Sequence, residues 1–167
     1  KNHIIILFII LLFGCSQKPV DETTLIEKDG LMYLPNFDEP YSGLYTGWYE
    51  NGQKKQEGNF NDGKRDGLWI VWYEDGQKKL QGIYKNGIED GLWIDWYENG
   101  QKESETNWKD GIEYGLGTNW YENGQIKFET TYKNGKKDGL WTLWYENGQK
   151  VFERIYKDGE LISSKSW

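Results

Sequence analysis

The residues that most often carry chemistry are scarce in this sequence. The only histidine is His3 and the only cysteine is Cys15, in a chain of 167 residues. Both lie in the leading segment, ahead of the part predicted to fold. This excludes Ser-His and Cys-His nucleophilic systems and nearly all zinc sites. Gly63 and Gly135 each precede a lysine, but neither pair belongs to a Walker phosphate-binding motif.

Carboxylates are the remaining chemical groups, and they recur at regular intervals. One row is Glu57, Glu105, Glu129 and Glu153, with Gln81 in the same place, and a second row is Glu50, Glu74, Glu98, Glu122 and Glu146. A glycosidase needs two carboxylates in a cleft. Even rows with nearby lysines instead favour a solvated charge ladder. We therefore predict no catalytic residue.

Calcium is the one metal for which the sequence offers candidate ligands. The candidates are two pairs in loops, Asp62 with Asp66 and Asp110 with Glu113. These loops lack the dense alternating Asp and Asn ligands of calcium-binding loops. We therefore predict no metal and no cofactor.

Aromatic side chains offer a binding chemistry instead of a catalytic one. The chain has ten Trp, twelve Tyr and six Phe, and exposed rings on a flat sheet stack on sugars or peptides. Open strand edges can also pair with an extended partner. The candidate binding surface consists of Trp69, Tyr73, Trp93, Tyr97, Tyr121, Trp141 and Tyr145. The alternative is that these rings mainly hold a thin sheet together, since such a sheet has no other core.

These rings must be positioned by a repeated element. Five tryptophans are spaced by 24 residues, and each is followed by Tyr-Glu, then Asn-Gly or Asp-Gly, then Gln: Trp48, Trp72, Trp96, Trp120 and Trp144 mark copies one to five. A fixed period of this size is typical of repeat architectures. Asn-Gly and Asp-Gly favour two-residue type I′ turns, so each copy predicts a β-hairpin. In the second copy the predicted strands are Leu68 to Glu74 and Gln77 to Lys85, and the link to the next hairpin, Asn86 to Gly91, is longer and has glycine at both ends.

The predicted fold class is therefore all-β, an elongated single-layer antiparallel β-meander of 24-residue hairpin repeats. A two-residue turn also predicts the pairs across the second hairpin: Trp72 with Lys79, Val71 with Leu80, Trp69 with Gly82, and Leu68 with Ile83. One face would carry Leu68, Trp72 and Ile83, and the other would carry Trp69, Tyr73, Leu80 and Tyr84. A bulge at any glycine would shift this register.

The first fifteen residues, KNHIIILFIILLFGC, form a different kind of segment. Ile4 to Phe13 is too short to span a bilayer but has the length of a secretory signal core. The ending Leu12-Phe13-Gly14-Cys15 resembles the lipobox of bacterial lipoproteins, which implies acylation of Cys15 and membrane attachment. The alternatives are an ordinary signal peptide or a buried strand with a free thiol. Residues 16–28 are polar and predict a flexible tether.

The stretch from Asn134 to Gln149, NGKKDGLWTLWYENGQ, resembles the bacterial MORN-repeat variant, and the resemblance covers residues 29–160. The stretch from Glu39 to Gly43 resembles an opening half-unit, and residues 161–167 remain as a C-terminal cap or tail. The resemblance implies a single-layer antiparallel meander. Many members are labelled antitoxins of toxin–antitoxin systems. The fourth copy departs from the pattern, with Gly117 for Trp and Tyr114 for Asp, so we expect it to be the loosest copy or a docking place.

The expected function is that of a lipid-anchored cell-envelope protein, a non-catalytic scaffold for unidentified protein partners. In a Gram-negative host, the serine after Cys15 favours the outer membrane by analogy with lipoproteins. The alternatives are a cell-wall or glycan-binding module that uses the aromatic rows, and an antitoxin-like partner-binding protein. A net charge of −7 excludes nucleic acid as an expected partner, because phosphate binding needs a surplus of Lys and Arg.

Overall fold

A computed structural model describes residues 19–167, which contain β-strands and no helix. The predicted signal segment and Cys15 lie outside these residues. The strands are β1 Val20–Asp21, β2 Ile26–Lys28, β3 Leu31–Tyr33, β4 Gly43–Trp48, β5 Lys54–Asn61, β6 Lys64–Arg65, β7 Gly67–Trp72, β8 Lys78–Lys85, β9 Ile88–Glu89, β10 Gly91–Trp96, β11 Lys102–Lys109, β12 Ile112–Trp120, β13 Ile126–Lys133, β14 Lys136–Trp144, β15 Lys150–Lys157 and β16 Glu160–Ser166. Within residues 19–167, no helix is long and apolar enough to cross a membrane.

One sheet of fourteen strands contains all five copies. From β4 to β16 the main strands follow chain order, and each pairs antiparallel with the next, while β6 and β9 pair with β5 and β8. Strand β1 pairs parallel with β4, and β2 and β3 form a separate two-stranded sheet. This order confirms the predicted single-layer all-β meander of hairpins.

The two kinds of turn in each copy differ from the prediction. Only Gly76 has a positive φ, 86°, in the hairpin turn of the second copy, where its N–H donates to the Tyr73 carbonyl at 3.0 Å. This is a type I turn that ends in a left-handed glycine, not a type I′ turn. Its aspartate stays right-handed because Asp75 Oδ1 accepts the Gln77 N–H at 2.8 Å.

The type I′ turn occurs instead in the link between copies, which was predicted to be the longer connection. Asn86 and Gly87 have φ values of 53° and 83°, and Lys85 pairs directly with Ile88 across them. Both central residues are left-handed, as a two-residue turn between twisted strands requires. The connection between copies is therefore a second hairpin, whose returning strand is interrupted at Asp90, between β9 and β10.

The register agrees with the prediction except beside the turn. Val71 pairs with Leu80, Trp69 with Gly82, and Leu68 with Ile83, as predicted. Trp72 pairs with Lys78 and not with Lys79, because a bulge follows Val71. The longer turn requires this extra residue, and the same shift recurs in the other four copies.

The predicted tether of residues 16–28 is wrong from Val20 onward, because this segment packs on the first copy. Val20 pairs with Tyr45, and Leu25 is 8 % exposed in the core. The carboxylate of Glu22 accepts hydrogen bonds from Lys55 and Gln56 at 3.1 Å. The polar composition of this segment favoured a tether. In the structure, Glu22 binds polar side chains of the first copy, and the apolar side chains of Val20 and Leu25 pack on its core.

The buried core lies where this segment meets the first two copies. The ring of Tyr45 is 5.4 Å from the rings of Phe60 and Trp69, and Phe60 meets Trp69 edge-on at 5.3 Å. Leu25 and Tyr41 complete the cluster. Ring pairs of this kind contribute about 0.5–1.5 kcal/mol beyond area burial, so the rings are a main source of packing in a sheet one layer thick.

Candidate binding surfaces

Four tyrosines connect each copy to the next. The hydroxyls of Tyr49, Tyr73, Tyr97 and Tyr121 donate to the carbonyls of Trp72, Trp96, Trp120 and Trp144, at 2.7, 2.6, 2.8 and 2.8 Å. Three of the predicted binding residues therefore have their polar tips occupied by the next copy. Burial, followed by nearby carboxylates, raises the pKa of Tyr73 and of Tyr97. The seventh predicted residue, Tyr145, is 53 % exposed.

The face that carries Leu68, Ile70 and Trp72, here called the front face, holds a row of lysine–tryptophan contacts. The ammonium of a lysine in one copy lies over the indole of the next in the pairs Lys54–Trp72, Lys78–Trp96 and Lys102–Trp120, at 5.7, 5.7 and 5.6 Å from the ring centre. The same lysine positions bind the predicted carboxylate row, in the ion pairs Lys54–Glu57, Lys102–Glu105 and Lys150–Glu153. These glutamates are thus paired along the sheet and do not converge in a cleft.

The front face also carries a row of exposed leucines, one from each copy. Leu44, Leu68, Leu92, Leu116 and Leu140, here called the leucine row, are 47, 47, 39, 53 and 49 % exposed. Ile83 and Ile155 lie opposite Leu68 and Leu140 and are 41 and 47 % exposed. Two strands per copy advance the sheet by about 10 Å, so the leucine row extends over about 40 Å.

The opposite face, which carries Trp69 and Val71, is called the back face, and it is where the predicted tryptophans lie. Trp69 is 2 % exposed, so its ring has no free surface for a ligand. Its place in the candidate binding surface is therefore corrected to a core position. Trp93 meets Tyr84 at 5.0 Å and Trp141 meets Phe152 at 4.8 Å, and both are partly exposed.

Glycines make room for these indoles. A methyl group on Gly58 would lie 2.0 Å from the ring of Trp69, and one on Gly82 would lie 2.4 Å from the ring of Trp93. The third copy has Thr106 at the same repeat position, next to Gly117 of the fourth copy, which has no side chain to collide with it. The fourth copy has Thr130 at this position, where it pairs across the strands with Trp141, so a threonine here does not by itself exclude an indole.

The missing indole leaves a groove on the back face, here called the Gly117 groove. It has a volume of about 390 Å³. Its aromatic lining includes Trp93, Trp108 and Tyr132, and its polar lining includes Asp95, Ser104, Asn119 and Glu113. The Ser104 hydroxyl donates to Oδ2 of Asp95.

One repeat position beside these rings differs in charge between copies. In the second copy the guanidinium of Arg65 lies 4.5 Å from the ring centre of Trp69 and 5.3 Å from that of Tyr84. In the fifth copy the ammonium of Lys137 lies 3.2 Å from Trp141 and 5.5 Å from Tyr156. The third and fourth copies have Glu89 and Glu113 at the same position.

Burial raises the pKa of the Glu113 carboxyl, and the nearby Lys137 ammonium opposes this shift. Burial, together with Arg154, lowers the pKa of Lys137, while Glu113 raises it. Burial and the Glu113 carboxylate raise the pKa of Tyr132. The Gly117 groove therefore places a partly buried carboxylate beside aromatic rings.

Tyr114, the other departure in the fourth copy, replaces an aspartate whose carboxylate accepts a backbone N–H of the turn that follows in the second, third and fifth copies. In the second copy Asp66 Oδ2 accepts the Asn86 N–H at 3.0 Å, and Asp138 does the same for Asp158 at 3.1 Å. Tyrosine cannot make this bond. Asp66 and Asp110, which the sequence analysis considered as calcium ligands and set aside, belong to this capping system. No cluster of three or more metal-ligating side chains occurs among residues 19–167.

The fold and these surfaces define a class, a single-layer β-hairpin repeat protein whose copies hold one another together. The family model for the MORN repeat variant matches residues 41–62, 65–86, 89–110, 113–134 and 137–158, which is more than half of the chain. The protein therefore belongs to the MORN repeat variant family. No curated protein matches the chain significantly.

Sequence reasoning placed Leu68 and Ile83 on one face but missed the leucine row as a surface. It also missed that one repeat position carries a cation in the second and fifth copies, Arg65 and Lys137, and a glutamate in the third and fourth. Aligning the copies at their 24-residue period would have revealed both patterns. The separation of the rings around Gly117 could not be read in that way, because it depends on side-chain directions.

Proposed function

We propose that this protein is a lipid-anchored scaffold of a bacterial cell envelope, and that it binds an extended protein partner along the leucine row. The observation that carries the proposal is the row itself: one leucine per copy, each 39–53 % exposed, on one face of all five copies. Soluble proteins rarely leave a large contiguous apolar surface open unless it binds something.

The chemistry beside the leucine row fits a protein better than a small molecule. Lysine–glutamate pairs occur in the first, third and fifth copies, and a tryptophan recurs in every copy at the same spacing. A partner of extended or helical form with apolar side chains about 10 Å apart would meet several equivalent positions together. Each contact is modest, and their sum over five copies provides affinity.

The anchor in this proposal is an acylated Cys15. The apolar run from Ile4 to Phe13 and the ending Leu12-Phe13-Gly14-Cys15 support signal processing and lipidation. Each buried methylene contributes about 0.8 kcal/mol, so two or more acyl chains would hold the protein stably on the membrane. Mass spectrometry of the native protein tests this directly, and Cys15→Ser should release the chain from the membrane fraction.

The scaffold function is tested by site-specific photo-cross-linking in cells. A photoreactive residue at Leu92 or Leu116 should cross-link to one defined envelope protein, and the same residue at Lys79, on the back face, should not. The identified partner, once purified, should bind the protein, and a Leu92→Asp and Leu116→Asp double variant should bind at least about tenfold more weakly. Equal cross-linking from Lys79, or unchanged binding by the double variant, would contradict the proposal.

Two alternatives remain outcomes of the same experiments. A shift of tryptophan fluorescence with peptidoglycan fragments, without a protein cross-link, would favour the cell-wall or glycan-binding module. A cytosolic protein with unmodified Cys15 that binds a co-encoded protein would favour the antitoxin-like role.

A further inference from the structure

The Gly117 groove differs from its neighbours in the charge placed between its rings. In the second and fifth copies the rings are covered by a cation from the same copy, Arg65 or Lys137. The chain thus shows that this position accommodates a cation between two aromatic faces. Such contacts contribute about 0.5–2 kcal/mol, more when water is excluded.

The Gly117 groove has rings without a cation over them, but they are not the same pair. The fourth copy keeps Tyr132 and has Gly117 in place of the indole, while Trp93 and Trp108 come from the third copy. No Lys or Arg of residues 19–167 lies over the rings of Trp93, Trp108 or Tyr132. At the position of the missing cation stands Glu113, which pairs across the strands with Trp108. The absence of an indole at Gly117 opens the space beside it to a volume of about 390 Å³.

A second carboxylate faces the same space. Asp95 lines the groove, and its Oδ2 accepts the Ser104 hydroxyl, which fixes the orientation of the carboxylate. The lining therefore holds two acidic groups and no basic group. Rings and carboxylates together match a poorly hydrated organic cation, because the rings replace its hydration shell and the carboxylates balance its charge.

We infer that the Gly117 groove binds an organic ammonium group, of the size of a trimethylammonium head, between its aromatic walls and the carboxylates of Glu113 and Asp95. The ligand lies in the space beside Gly117, where the fifth copy has the indole that Lys137 covers. The group can belong to a free small molecule or to a lipid headgroup, since both present the same chemistry. This site lies on the back face and is separate from the leucine row.

Titration of the purified full chain with choline, in a non-ionic detergent, tests the inference. Tryptophan fluorescence and calorimetry should both report binding, with a Kd on the order of 1 mM. The uncharged carbon analogue 3,3-dimethyl-1-butanol should bind at least about tenfold more weakly, because it lacks the charge. Equal binding of the two compounds, or no binding of choline up to about 100 mM, would overturn the inference.

Substitutions in and outside the Gly117 groove test whether choline binds there. Glu113→Gln should weaken choline binding about tenfold, whereas Glu122→Gln, which removes the same charge from an exposed turn, should leave it unchanged. Glu113→Lys should abolish binding, because it replaces an attractive charge in the lining of the groove with a repulsive one. Circular dichroism and urea midpoints verify that each variant folds. Retained binding in Glu113→Lys would refute the assigned site.

Experiments with lipid vesicles and a sugar identify which molecule carries the ammonium group. Competition between choline and phosphatidylcholine vesicles, with phosphatidylglycerol vesicles as control, would assign a lipid headgroup. Choline binding without vesicle binding would assign a free ligand. Binding of N-acetylglucosamine without binding of choline would replace the inference with a sugar site.

Discussion

Substitution of Tyr97 by phenylalanine isolates the contact between two neighbouring copies. Its hydroxyl donates to the Trp120 carbonyl at 2.8 Å, and the ring itself stays in place when only the oxygen is removed. The hydrogen bond joins the third copy to the fourth, at the junction beside the Gly117 groove. Any loss of stability therefore reports on the coupling between these copies.

The expected loss is about 1 kcal/mol of the free energy of unfolding. A neutral hydrogen bond contributes about 0.5–1.5 kcal/mol net, and the Trp120 carbonyl would be left without its side-chain partner. With a urea m-value of about 1–3 kcal/mol/M, the unfolding midpoint should fall by roughly 0.3–1 M. Tyr73→Phe removes the equivalent bond to Trp96, and in the double variant the two losses should add to about 2 kcal/mol.

The matched control is Tyr145→Phe. Tyr145 occupies the same repeat position but is 53 % exposed, and its hydroxyl makes no hydrogen bond to another residue of 19–167. Its midpoint should remain within experimental error of the parent protein. If Tyr97→Phe and Tyr145→Phe shift the midpoint equally, the hydroxyl row does not couple the copies and the account of their connection is wrong.

Two further outcomes follow from the same contacts. Tyr114→Asp should raise the unfolding free energy by about 0.5–1.5 kcal/mol, because the new carboxylate can accept the Asn134 N–H as Asp66 accepts its own partner; an unchanged urea midpoint would contradict this cap. Burial, followed by the Glu22 carboxylate, raises the pKa of Tyr45 from 10.0 to about 12. This contribution to stability is fully present below pH 10 and is lost as pH rises towards 12. Tyr45→Phe should show a smaller alkaline fall in the urea midpoint than the parent protein.

The sequence was sufficient to predict the repeat, the strand pairing and the faces, because period and alternation are properties of the chain itself. It was not sufficient to predict the turns. The same Asn-Gly or Asp-Gly pair forms a type I′ turn at Asn86-Gly87 but ends a type I turn at Asp75-Gly76. In the second case the Asp75 side chain binds the backbone of Gln77 and holds the aspartate right-handed. Local propensity alone cannot decide between these outcomes.

The candidate sites were also predicted only in part from the sequence. The aromatic rows were visible in the sequence, yet their side chains serve different purposes: Trp69 is buried, while Tyr73 and Tyr97 bind the next copy. Exposure depends on which neighbour covers each ring, and the neighbours belong to other copies. Gly117 was recognisable as a departure, but the groove beside it depends on the directions of rings from three strands.

The residues that differ between copies indicate different roles for the two faces of the sheet. The front-face leucine is the same in all five copies, as expected if one long partner meets equivalent positions. On the back face, the position that holds Arg65 and Lys137 carries a glutamate in the third and fourth copies, which supply most of the lining of the Gly117 groove. Where the second and fifth copies have an indole covered by a cation, the fourth copy has neither the ring nor the cation. The combination of open volume, aromatic walls and reversed charge is what a site for an external cation requires.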